Sequence, residues 1–189
     1  MSKTMEANKA HKKLITRWSD QKYYLIKWIY LEFHNVNPEF TEDDRKRKCE
    51  IFGIPNDKTC FITGKLCKGM GDHLFEINGY AKKTNGLHGT DDEWNKIPVI
   101  GSKNKSYKTR FGKNKKNIGY QDLTDEELKE CTDDQKNHYQ KIKMWKEYVK
   151  ERGASLTWKL TENEQRLYDI KKKEYENLWD IDNLNNLLN

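Results

Sequence analysis

With 189 residues, 34% apolar and 12% aromatic, the chain suffices for one modest core built on a few large side chains, among them six Trp and ten Tyr, and is too aromatic for a disordered chain. The longest apolar block, residues 23–33, is broken by Lys27 and Glu32 and falls short of the roughly 20 residues of a membrane span, so no membrane association is expected. The net charge of +6 is uneven: residues 1–117 carry 24 Lys or Arg against 14 Asp or Glu, and residues 118–189 carry 12 against 16, which predicts one part facing a polyanion and another facing something else.

The beginning of the chain has no apolar core of a secretory leader. The four thiols, Cys49, Cys60, Cys67 and Cys131, are therefore expected to stay reduced inside a cell, in cytoplasm or nucleus. Composition divides the chain into an N-terminal helical segment (1–53), a central module (54–117) and an acidic helical segment (118–189). In the first, Tyr24, Trp28 and Leu31 recur at helical spacing and predict a helix buried along that stripe. Thr41 and Asp44 cap a second helix, which Gly53 and Pro55 should stop.

From Thr59 to Gly101 the texture changes to short β-like runs, CFITGKL, HLFEI and KIPVIG, separated by turn residues; nothing else in the chain reads as strand. Residues 102–117 then hold seven Lys or Arg and no acid, which predicts a short basic helix and tail with Gly112 as its stop. Beyond them, capping boxes appear at Thr124/Glu127, Thr132/Gln135 and Thr161/Glu164. Tyr139, Ile142, Trp145 and Val149 make one helical stripe, and Leu167, Ile170, Leu178 and Ile181 another. Such stripes pack a core or a partner helix, which leaves room for a homodimer through the C-terminal helices.

Within the β-like module an acid stands directly before a histidine, in Gly71-Asp72-His73. Asn95-Lys96-Ile97-Pro98-Val99 follows, and then Ser102-Lys103-Asn104-Lys105 at the start of the basic tract. This order resembles the HNH signature of ββα-metal endonucleases in its Asp-His…Asn…Asn form, over residues 59–112. The resemblance implies an α+β protein with a central ββα-metal motif flanked by N- and C-terminal helices. It implies Mg²⁺ (or Mn²⁺)-dependent hydrolysis of phosphodiester bonds in DNA, expected to be double-stranded, in a homing or restriction role. His73 would be the general base, Asp72 and Asn104 the metal ligands, and Asn95 a brace for the loop that aims the histidine. Lys103, Lys105, Lys108 and Arg110, followed by Lys113, Lys115 and Lys116, would contact phosphates.

Elementary chemistry agrees with those residue types. Phosphodiester hydrolysis needs a base for the attacking water and positive charge for the phosphate and the leaving oxygen. An imidazole titrates near working pH, and a hard divalent cation needs only one carboxylate and one amide oxygen when substrate supplies another ligand. Strand alternation would turn Asp72 and His73 to opposite faces, so the pair is expected to straddle a strand's start.

Two departures from the family pattern matter. The position one turn after the helix ligand, often a further His or Asn, is Lys108, so a two-ligand site is expected. Cys60 and Cys67 form a single pair with six residues between them and no second pair follows Asn104, so no structural zinc is expected; a zinc site from Cys60, Cys67, His73 and His88 has too loose a spacing. The competing expectation is a non-catalytic nucleic-acid-binding or assembly protein, which would need the Lys and Arg charge alone.

Overall fold

The structure is a computed structural model describing residues 22–67, 71–77, 86–101 and 123–178, the last four of these by backbone alone. It is a mixed α+β chain. Helix α1 is α-helical over residues 22–29 and ends in a π-helical turn, Tyr30–His34. Then come α2 (Glu42–Phe52), β1 (Asp72–His73), β2 (Leu87–Gly89), a 3₁₀ turn (Glu93–Asn95) and β3 (Lys96–Ile97). The elements α3 (Asp125–Lys129), α4 (Asp133–Glu151), β4 (Thr157–Lys159) and α5 (Glu162–Leu178) complete the order. Strand β1 pairs antiparallel with β3, and β2 pairs with β4. The described residues fall into two compact units, 22–35 with 159–178 in one and those between 36 and 158 in the other, so 36–53 and 123–158 share a unit with the described part of the central module.

In the smaller unit, α1 buries Leu25, Ile26, Ile29 and Tyr30 and exposes Tyr24, Trp28 and Leu31 at 60%, 42% and 46%. The stripe expected to be buried is thus the outward one. The block is apolar nearly all round, so 3.6-residue spacing fits two faces, and the face with Leu25, Ile26, Ile29 and Tyr30 is the buried one. Helix α5 starts with the anticipated capping box, Thr161 N–H donating to Glu164 at 2.8 Å. His34 Nε2 meets the same carboxylate at 2.8 Å. Burial opposes the charged form of Glu164, but the Thr161 and His34 hydrogen bonds outweigh it and hold the carboxyl below its ordinary range. Among the described side chains of α5 the buried ones are Glu164 and Tyr168; of the second expected stripe Leu167 is half-buried and Ile170 is 57% exposed, against expectation, while the side chain of Leu178 and all of Ile181 lie outside the described residues.

In the larger unit the helix signals hold. Capping boxes open α2, α3 and α4, and Gly53, left-handed at φ 64°, closes α2. Tyr139, Ile142, Trp145 and Val149 are all buried on α4. Asp44, 1% exposed, ties α2 to α4: its carboxylate accepts the Tyr148 hydroxyl at 2.6 Å, the Arg152 Nε–H at 2.9 Å and the Thr41 N–H at 2.9 Å. Trp145 stacks on Trp94 with centroids 6.2 Å apart, and its indole N–H donates to the Trp94 carbonyl at 3.1 Å.

The strands differ from expectation. Of HLFEI only His73 is in a strand; the chain bends at Leu74 and Phe75, although Leu74, Phe75 and Ile77 are all buried. The reason is a side chain, Asn95, which takes the backbone groups of Phe75 that a ladder would have used. The run CFITGKL makes a tight hairpin with one bridge, Thr59 to Leu66, rather than a regular strand. Strand β4 arises in a stretch expected to be helical, where Leu156 O accepts the Thr90 N–H at 3.1 Å and Trp158 Nε1–H donates to Gly89 O at 3.2 Å.

Candidate active site

The β1–β3 ladder sets Asp72 opposite Ile97 and His73 opposite Lys96. Entry into β1 depends on Gly71, whose φ is +94° and where a Cβ would fall 1.9 Å from the Ile97 carbonyl oxygen. The two residues are the whole of β1, so they do not straddle its start as expected. The Asp72 carboxylate accepts the His73 N–H through Oδ1 at 3.0 Å, and its Oδ2 is 3.4 Å from the place of a Cβ on Gly101, a residue of helical conformation. Asp72 thus reaches the opening of the segment that follows β3. His73 is turned to another partner, its Nε2 lying 3.1 Å from Asp91 Oδ1.

Asn95 is fully buried at 0% exposure. Its Oδ1 accepts the Phe75 N–H at 2.9 Å, and its Nδ2 donates to the carbonyls of Phe75 and Thr90, each at 2.8 Å. Its own carbonyl accepts the Leu74 N–H at 2.7 Å. One side chain therefore fastens the strand that carries His73 to the loop that carries Asp91. The approach is so close that Gly89 has no room for a side chain: a Cβ would stand 2.0 Å from Phe75 O and 2.7 Å from Asn95 Nδ2.

Two charged groups fix the same loop from below. Asp92 Oδ1 accepts from the Thr90 hydroxyl at 3.1 Å, the Trp94 N–H at 3.1 Å and the Asn95 N–H at 3.4 Å, capping the 3₁₀ turn. Lys48, on α2 and 3% exposed, donates to the carbonyls of Glu93 at 2.7 Å and Lys96 at 2.8 Å. Its ammonium also lies 4.5 Å from the Phe40 ring centroid and 4.7 Å from that of Trp145. Burial pushes its pKa down to about 8.

The hairpin before β1 brings Cys60 and Cys67 together. Burial works to raise the Cys60 thiol, but hydrogen bonds from the Thr63 side chain and the N–H groups of Ile100, Ile62 and Thr63 outweigh it and lower its pKa. Burial, with Cys60 beside it, pushes Cys67 up to about 11. Among the described residues no group of three or more His, Cys, Asp or Glu is placed to hold a metal ion. The donor set still fits a hard cation that takes one or two protein oxygens and keeps its waters, because Asp72 is a half-buried carboxylate at the mouth of the following turn.

Of the residues picked out by sequence, the fold brings Asp72, His73 and Asn95 together. Asn104 and the basic residues Lys103, Lys105, Lys108, Arg110, Lys113, Lys115 and Lys116 lie outside the described residues. Sequence reasoning missed Asp91, Asp92 and Lys48. The signal for Lys48 was present, since Asp44, Lys48, Ile51 and Phe52 follow the i, i+4, i+7, i+8 pattern of a buried face. Asp91 carried no signal, being one of three consecutive acids in a loop. No protein-family model, curated protein or solved structure matches the chain. No helix among the described residues is long and apolar enough to cross a membrane.

Proposed function

We propose that the chain is a divalent-metal-dependent endonuclease of the HNH, ββα-metal kind, hydrolysing phosphodiester bonds in double-stranded DNA inside a cell. The observation that carries this reading is the antiparallel pairing of Asp72–His73 with Lys96–Ile97. It sets an acid-histidine pair beside the buried Asn95 and turns the acid toward the helical residue Gly101. In this reading His73 takes the proton of the attacking water, and Asn95 holds the backbone that aims it. Asp72 and Asn104, the latter three positions after Gly101, would hold Mg²⁺ or Mn²⁺. When bound, such an ion supplies positive charge to the phosphate and the leaving oxygen. The Lys and Arg side chains of residues 102–117 add sequence-independent, salt-sensitive attraction for the DNA backbone. One such site cuts one strand, so cleavage of both would call on a second copy, with the C-terminal helices as its interface.

The test is cleavage of supercoiled plasmid in Mg²⁺, Mn²⁺ and EDTA by the wild type and by His73→Ala. Metal-dependent nicking or linearisation that disappears in the variant supports the reading. If both proteins retard the plasmid equally and leave it intact, the chain is a non-catalytic DNA binder.

A further inference from the structure

His73 and Asp91 come from different parts of the chain, eighteen residues apart, and meet at 3.1 Å with side-chain exposures of 21% and 9%. The carboxylate is held there by its surroundings. On its two sides Thr90 and Asp92 are fixed, Thr90 by the Leu156 carbonyl and by Asn95 Nδ2, Asp92 by the N–H groups of the 3₁₀ turn it caps. Asn95 also grips Phe75, two residues beyond His73, so strand and loop keep one spacing. An imidazole whose Nε2–H is given to a carboxylate presents Nδ1 as its basic nitrogen.

The geometry points to Asp91 as a positioning residue for His73: its carboxylate accepts Nε2–H, selects that tautomer and aims Nδ1 at the water. This assignment rests on the nuclease reading above. In the step concerned, a water O–H bond breaks and its proton passes to Nδ1. The water oxygen forms a new P–O bond, the bond from phosphorus to the leaving oxygen breaks, and that oxygen acquires a proton from solvent. The ring is then an imidazolium, and the Asp91 charge beside Nε2–H stabilises it as it forms.

The experiment takes the full chain with Asp91→Ala, Asp91→Asn and His73→Ala, and measures kcat and KM for plasmid nicking in Mg²⁺. In parallel, ¹⁵N shifts of the neutral His73 ring, recorded without metal or DNA, report which nitrogen carries the proton. Wild type should show the Nε2–H form. Asp91→Ala should lose that preference and about 100-fold in kcat, with KM within about twofold, a smaller loss than His73→Ala gives. Asp91→Asn, which keeps the size and one acceptor oxygen, should recover part of the rate. An Nδ1–H ring in the wild type, or kcat within about twofold of wild type in both Asp91 variants, overturns the assignment while leaving the nuclease intact. Cleavage that survives in His73→Ala, or none by the wild type, removes both.

Discussion

Replacing Asn95 by alanine should destabilise the larger unit more than any other single polar deletion near the site. The side chain makes three hydrogen bonds of 2.8–2.9 Å at a position of 0% exposure. Its removal strips a partner from the Phe75 N–H, the Phe75 carbonyl and the Thr90 carbonyl. A buried polar group deprived of its partner costs about 1–3 kcal/mol. Carbonyls tolerate the loss better than an N–H, and water can enter the vacated volume, so the low end applies and the sum is about 3 kcal/mol, a large part of the ~5–15 kcal/mol typical of a domain. Asn95→Asp keeps the volume and the acceptor for Phe75 N–H but faces a carboxylate oxygen against both carbonyls, so at neutral pH it should cost at least as much. Urea unfolding followed by fluorescence of the stacked Trp94 and Trp145 gives the loss, and hydrogen exchange at the Phe75 amide localises it. An alanine variant within about 0.5 kcal/mol of wild type, with Phe75 exchange unchanged, would refute the brace.

Three further predictions concern the supports of the same unit. Burial opposes the charged form of Asp44, but the hydrogen bonds from Tyr148, Thr41 and Arg152 outweigh it and bring its pKa from 3.8 to about 2. Its contribution, about 2 kcal/mol, is therefore complete above pH 4 or so and lost as pH falls through about 2; acid titration of stability for wild type and Asp44→Asn should show the two curves converging there. Lys48 titrates at about 8 in the fold against 10.5 ordinarily. The unfolded chain thus binds more protons between those values, and stability relative to Lys48→Met should rise with pH across that window by about 3 kcal/mol. Denaturation midpoints giving a difference that stays flat from pH 7.5 to 9.5 would exclude it. Gly89→Ala places a Cβ 2.0 Å from the Phe75 carbonyl oxygen, a backbone atom that cannot swing aside, and should lower the melting temperature and abolish nicking; a variant melting with the wild type would contradict the close approach.

The parts of this fold that were legible in the sequence are those set by local chemistry. All four capping boxes form because a threonine oxygen and an acid or amide three residues on satisfy the free N–H groups of a first helical turn, whatever the surroundings. The α4 stripe was legible because its opposite face is charged. Where local chemistry is ambiguous the sequence was not enough: α1 is apolar on both candidate faces, and on α5 Leu167, Tyr168 and Ile170 offer two faces, of which the one with Tyr168 is buried. The β-like runs misled for a different reason. Period-two patterning reports burial, and Leu74, Phe75 and Ile77 are indeed buried, but it does not report whether neighbouring backbone groups bond to a strand or to a side chain.

That distinction bears on how so small a sheet can hold a reactive histidine. Two residue pairs make a ladder too short to be rigid by itself. The stiffness comes instead from polar side chains that reach backbone from outside the ladder: buried Asn95 binding residue 75 to residue 90, half-buried Asp92 capping the 3₁₀ turn that carries Asn95, and buried Lys48 gripping that turn at both ends from α2. The turn is pressed onto α4 by the Trp94–Trp145 stack, so the His73–Asp91 spacing is referred to two fully buried side chains of the unit's core. Each clamp is costly if half-made, since an unpaired group in that interior loses its full solvation. The arrangement therefore tends to be present whole or absent whole, and a single substitution at Asn95 or Gly89 should disturb histidine, loop and strand together.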